Sequence, residues 1–132
     1  MKIAHVYARY STGIQAKGTS LRRQINNAEA FAAEQGWTIA DIIADEGVSA
    51  YRGKNLAQGG LGRFLDAVKT GKVAPGSVLI VESLDRLSRN TLTAQMMLLL
   101  DIIRAGVEVV TLVDQRHFTR AMVSTNPLEL IF

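Results

Sequence analysis

The 132-residue sequence contains no cysteine and only two prolines. Lack of cysteine excludes disulfides, thiolate zinc sites, iron–sulfur clusters and thiol nucleophiles together. Long apolar runs are missing too. The longest, 92–100, is interrupted by Thr93 and Gln95, far short of the roughly 20 residues that span a bilayer. Arg9 breaks the apolar opening and no small-residue cleavage site follows, so the N-terminus does not read as a signal peptide. A soluble, cytoplasmic protein without a membrane partner is expected. No combination of histidines and carboxylates has metal-ligand spacing, and neither HExxH nor a phosphate-binding GxxxxGKS/T occurs. The glycines at 59, 60 and 62 follow a loop rather than a strand, which makes them a weak nucleotide signal. No metal and no cofactor are expected.

The length suits one compact domain, and folding at this size removes roughly 65% of the unfolded chain's surface. Fifteen Lys and Arg stand against 12 Asp and Glu, a net charge of +3. Arginines outnumber lysines ten to five, and arginine carries the planar fork that matches phosphate geometry.

Hydrophobic patterning predicts strands over 3–8, 37–44, 77–81 and 107–113. Helices are expected over 20–36, capped by Ser20 and stopped by Gly36, over 61–70, and from about 91 to 105, closed by Gly106. A loop over 45–60 connects the second strand to the second helix, and 114–119 can add a short edge strand. Alternation of strand and helix implies a three-layer α/β/α fold with a central, mostly parallel sheet of four strands and a short antiparallel edge strand.

In such sheets, binding sites collect beyond the carboxyl ends of the strands. Three polar clusters fall there: Arg9-Tyr10-Ser11, the stretch 45–54, and Asp85-Arg86-Leu87-Ser88-Arg89. Arg86 and Arg89, three apart, share a face if their segment is helical. A serine hydroxyl among arginines, with one carboxylate near, suits a phosphodiester. The hydroxyl can attack phosphorus while fixed cations stabilise charge on the non-bridging oxygens. Taken singly, Ser11 reads as structural, an arginine-rich turn as solvated surface, and Asp85 as a helix cap or an ion-pair partner. Their placement at successive strand ends favours a shared site. His5, inside a strand, and His117, far towards the C-terminus, read as structural.

The same residues resemble the serine recombinases, the resolvase and invertase family. Tyr7-Ala8-Arg9-Tyr10-Ser11 resembles that family's nucleophile motif, and Ser20-Leu21-Arg22-Arg23-Gln24 the opening of its first helix. Asp45-Glu46-Gly47-Val48-Ser49-Ala50 is similar to its second-strand loop, and Leu84-Asp85-Arg86-Leu87-Ser88-Arg89-Asn90 to its most specific signature. The resemblance implies a site-specific recombinase in which Ser11 joins covalently to the 5′ phosphate at a cut. Arg9, Arg86 and Arg89 would bind the scissile phosphate. Asp85 would orient the arginines or assist proton transfer, while Gln24, Tyr7 and Ser49 would support the pocket. Either Arg52 or Lys54 would supply a further phosphate contact from the loop. Implied partners are double-stranded DNA and further copies of the chain, as a dimer and a tetramer.

Two features depart from the family pattern. The proline-containing continuation common in resolvases is replaced by Asn55-Leu-Ala-Gln-Gly-Gly60, a variant resembling phage or mobile-element members. Residues 1–123 are read as the catalytic domain and 124–132 as the start of a truncated linker helix. The fragment is therefore expected to be a monomer or weak non-native dimer, largely inactive in recombination. The competing expectations are a phosphate-handling hydrolase or phosphotransferase on the same fold, and a catalytically idle regulatory domain.

Overall fold

The first apolar run forms β1 (Ile3–Tyr10) in the computed structural model, which describes residues 2–10, 14–46, 60–87 and 91–119. Along the chain follow α1 (Ile14–Gln35), β2 (Thr38–Glu46), α2 (Gly60–Lys69), β3 (Val78–Val81), a 3-10 turn (Leu84–Arg86), α3 (Leu92–Arg104), β4 (Glu108–Thr111) and β5 (Arg116–Phe118). The sheet order is β2-β1-β3-β4-β5. β1 pairs in parallel with β2 and β3, and β3 with β4, while β5 returns antiparallel to β4. The expected α/β architecture, including its short antiparallel edge, is what forms.

Alternation along the strands divides the interior in two. Ala4, Val6, Val78, Ile80 and Val110 face α1, which meets them with Ala28 and Ala32. Small residues at those positions let the helix lie close to the sheet. The opposite face is bulkier. Tyr7, Leu79, Val81 and Val109 meet Leu61 and Phe64 of α2, and Leu98, Leu99, Ile102 and Ile103 of α3. Each such Leu or Ile contributes about 1.5–3 kcal/mol when removed from water.

Glycine ends two helices as anticipated. Gly36 (φ 76°) and Gly106 (φ 101°) adopt the left-handed conformation. Trp37 N–H donates to the Ala32 carbonyl at 2.9 Å and Val107 N–H to the Ile102 carbonyl at 3.3 Å, the paired closure that satisfies a helix's last carbonyls. Each helix is then followed by its next strand.

Two expectations need correction. Ser20 does not cap α1, which starts at Ile14. Extending an existing helix adds one hydrogen bond per residue without a new nucleation cost, so Gly18 and Thr19 are carried along despite poor propensity. Asp45 and Glu46 are not loop residues but the last two of β2, paired with Arg9 and Tyr10. The rest of that stretch up to residue 59, and residues 88–90 and 120–132 with the expected C-terminal helix start, lie outside the described residues. Among the described residues no helix is long and apolar enough to cross a membrane.

Candidate active site

Parallel pairing of β1 with β3 brings the end of one strand, Arg9, beside the segment that follows the other, Glu82 to Arg86. Arg9 is almost fully buried, at 2% exposure. Its main chain is gripped from α1: the Arg9 N–H donates to Gln24 Oε1 at 3.2 Å, and Gln24 Nε2 donates to the Arg9 carbonyl at 2.9 Å. A side-chain amide here completes both halves of a peptide pairing on the β3 side, where strand pairing stops at Val6, while β2 still pairs with the strand end from the other side. The Arg9 guanidinium points across to the 3-10 turn. Its Nη2 donates to the Asp85 carbonyl at 3.1 Å and lies 3.7 Å from the Asp85 carboxylate.

The turn presents Arg86 from the other side. Arg86 N–H donates to the Ser83 carbonyl and Leu87 N–H to the Leu84 carbonyl, which fixes the backbone. The Arg86 side chain donates to Glu82 Oε1 from Nη2 at 2.7 Å and from Nε at 3.2 Å, and its Nη1 reaches the Arg9 carbonyl at 3.4 Å. Ser83 Oγ hydrogen-bonds Asp85 Oδ1. Glu82 also receives Arg23 of α1, from Nε at 3.1 Å and Nη2 at 3.0 Å. Three guanidinium groups thus converge on two carboxylates, leaving a net positive charge at a strand-end cleft. Such a cluster can bind one phosphate oxygen pair by the charge-assisted, forked hydrogen bonds in which arginine excels.

Next to it, β2 ends in a second buried polar group. Asp45 accepts hydrogen bonds from the Gly60 N–H (Oδ1, 2.8 Å), the Leu61 N–H (Oδ2, 3.1 Å) and the Tyr7 hydroxyl (Oδ2, 3.0 Å). It satisfies the orphan donors at the start of α2 from a distance in sequence and sets a negative charge at the positive end of that helix.

The chain as a whole has known counterparts. Residues 4–128 match the family model described as the resolvase N-terminal domain.

The chain belongs to the resolvase-type serine recombinases.

Among solved structures, this recombinase domain is similar to a resolvase family site-specific recombinase from Streptococcus pneumoniae, at 26% identity and a TM-score of 0.73, covering 98% of this chain and 81% of that one. It shares its fold with the N-terminal catalytic domain of TP901-1 integrase, at 22% identity and a TM-score of 0.72, covering 98% of this chain and 88% of that one. An uncharacterized protein, YbcK, of Escherichia coli (strain K12) is 39% identical over 116 residues, 86% of this chain. The chain spans only 23% of that relative's length.

Of the residues singled out in the sequence, the structure brings together Arg9, Gln24, Asp85 and Arg86, with Tyr7 one step away through Asp45. Ser11, Ser49, Arg52, Lys54 and Arg89 lie outside the described residues. His5 and His117 stay apart from the recombinase site: His5 packs its ring 5.1 Å from Phe64, and His117 pairs with Glu108 at 2.6 Å. Burial pushes the His5 pKa below 6.5, against an opposing pull from Asp41. Sequence reasoning missed Glu82 and Arg23. The four-residue spacing of Glu82 and Arg86 was a visible signal; the meeting of Arg23 with Glu82, 59 positions apart, was not.

Proposed function

We propose that this domain cuts and rejoins double-stranded DNA in site-specific recombination, with Ser11 as the nucleophile. The observation that carries the reading is the pair Arg9 and Arg86, held at the carboxyl ends of β1 and β3, with Ser11 following β1 directly after Tyr10. In the proposed step the Ser11 oxygen attacks the scissile phosphorus. A new Oγ–P bond forms as the P–O3′ bond breaks, the serine proton is lost, and the departing 3′ oxygen leaves as a hydroxyl. The arginines offset charge on the non-bridging oxygens. Because one phosphoester replaces another, rejoining by the reverse attack needs no external energy source.

Arg89 joins Arg9 and Arg86 on the phosphate in this reading, and Asp85 orients Arg9. Arg52 supplies the loop contact in preference to Lys54, since only arginine can bind two phosphate oxygens through one planar fork. Ser49 and Tyr7 support the pocket wall. We further propose that the domain acts within a longer protein, as a tetramer of two dimers holding two DNA sites. The 132 residues alone should then give little strand exchange on supercoiled plasmid. Robust exchange by them would overturn that part.

The deciding experiment traps the covalent intermediate. The longer protein carrying this domain is incubated with duplexes spanning its candidate crossover site, with a 3′-bridging phosphorothiolate at the scissile position. The departing thiol attacks phosphorus back poorly, so the adduct accumulates. The expected adduct maps to Ser11, vanishes in Ser11→Ala, and falls by about 100-fold or more in Arg9→Ala, as losses of single charge-stabilising donors do. An adduct on another residue, or bound DNA that never yields one, would refute the assignment.

A further inference from the structure

Glu82 immediately follows β3, and its position is fixed from both sides. The Val81 carbonyl accepts from the Leu112 N–H at 3.0 Å and the Glu82 carbonyl from the Val113 N–H at 2.9 Å, so the strand end is pinned to the end of β4. From that anchor the carboxylate, only 13% exposed, receives two guanidinium groups from different parts of the fold. Arg86 comes from the 3-10 turn and is 20% exposed; Arg23 comes from α1 and is 54% exposed. One negative charge shared between two positive ones leaves the group cationic. The sharing runs from the buried interior, through Arg86, out to solvent, through Arg23.

A carboxylate this close to a phosphate-binding arginine has two effects. It holds the guanidinium plane in one orientation, which lowers the entropy lost when phosphate binds. It also competes for the same N–H donors, since Nε and Nη2 of Arg86 both point at Glu82 Oε1. An incoming phosphodiester that takes the forked Nε–Nη2 edge of either arginine does so at the expense of Glu82.

Resting on the recombinase reading above, we propose that Glu82 is a positioning residue. It clasps Arg86 and Arg23 while the site is empty and yields them to backbone phosphate when DNA arrives, so that Arg23 is a further phosphate-binding residue. The ordinary alternative is a surface ion-pair network that only adds a little stability.

The two differ in the size of one effect. Removing any carboxylate from this face raises DNA affinity a little, through net charge alone. Removing a competitor raises it further. Glu82→Gln keeps the side chain's shape but offers one acceptor oxygen and an amide N–H₂ that repels the second guanidinium. Glu82→Asp keeps the charge and draws it back by one methylene. Arg23→Gln removes the outer cation at an exposed position.

Each form of the 15N-labelled 132-residue chain is titrated at low salt, at NMR concentrations, with a 16-base-pair duplex of mixed sequence. The arginine Nε–Hε signals are followed, with Arg86 assigned through Arg86→Lys. In the free wild-type chain the Arg86 Nε–Hε signal should stand apart from the bulk arginines and exchange slowly with water, and in Glu82→Gln it should collapse towards them. Duplex affinity should rise about three- to tenfold in Glu82→Gln, and less than twofold in Glu29→Gln, which removes an exposed carboxylate from the same helix as Arg23. It should stay within twofold in Glu82→Asp, whose Arg86 signal nonetheless moves. In Arg23→Gln it should fall, with the salt slope shallower by about 0.9, the worth of one phosphate contact. An Arg86 signal unmoved by Glu82→Gln would overturn the clasp, and a gain in affinity no larger in Glu82→Gln than in Glu29→Gln would overturn its release to DNA. If Glu82→Gln moves the Arg86 signal but duplex never does, the clasp exists and Arg86 is not a phosphate ligand. That outcome counts against the recombinase reading and the release together.

Discussion

Asp45 shows what one carboxylate can organise when it is buried at the end of a strand. It accepts from two main-chain N–H groups of α2 and from the Tyr7 hydroxyl, at 8% exposure. Hydrogen bonds to a charged acceptor contribute more than neutral ones, and leaving buried donors unpaired carries the full desolvation penalty. Asp45→Ala should therefore destabilise the fold by about 3 kcal/mol in urea unfolding, and Tyr7→Phe by about 1 kcal/mol. His5 gives a pH-dependent counterpart. Its pKa is depressed below 6.5 by burial, and its Nδ1 has no hydrogen-bond partner among the described residues. As pH falls through 6.5 the unfolded chain protonates this histidine first, so unfolding takes up protons and stability declines until the lower folded-state pKa is passed. Tm measured from pH 7.5 down to 5 should fall less steeply in His5→Gln than in the wild-type chain. An unchanged slope would mean His5 is not the group responsible.

At the scale of elements, one tight joint is that between β2 and the first turn of α2. A Cβ on Gly60 would sit 2.3 Å from Ile43 Cγ2 and 3.1 Å from Asp45 Oδ1. The helix lies this close because Gly60 has no side chain to hold it off Ile43 and Asp45. Gly60→Ala should cost about 1–3 kcal/mol through overpacking. Combining it with Ile43→Ala should cost less than the two single changes added together, because the second opens space for the first. Calorimetric or urea unfolding of the four proteins tests this, and simple additivity would argue against the clash. Such joints were not legible in the sequence, where Gly60 read only as part of a glycine-bearing loop. The start of α1 was hidden for a related reason: Gly18, Thr19 and Ser20 look like punctuation, and only the completed hydrogen-bond ladder shows that they are not. Strands were easier to see. β3 is four consecutive buried residues, a pattern that a strand covered on both faces produces.

Across the whole molecule, the two ends of the sheet are chemically different. The carboxyl ends of β1 and β3 carry Arg9, Arg23, Arg86 and their carboxylates. On the far side Lys2, Trp37, Glu108 and His117 join through ion pairs and ring contacts into a knot that ties β5 to the sheet. Duplex DNA should accordingly shift amide signals around Arg9, Arg23, Gln24 and the 3-10 turn, and leave those of Trp37, Glu108 and His117 in place. The reverse pattern in a 15N–1H titration would relocate the DNA face. The sequence marked out the first end because its arginines cluster within short stretches. It was silent on how the two sides of the cleft connect, since those links join residues up to 77 positions apart.

Gln24 and Arg23, adjacent on α1, add two further links, and they reach different strands. One grips the main chain of β1 and the other the carboxylate behind β3. A helix fastened in this way is a crossbar. If it tilts or slides as a rigid rod, Arg9 and Glu82 are carried with it in step, and the gap between the two halves of the cleft keeps its width. While the site is empty, a force on the outer surface of α1 would thus move the phosphate-binding groups as a set, without pulling them apart.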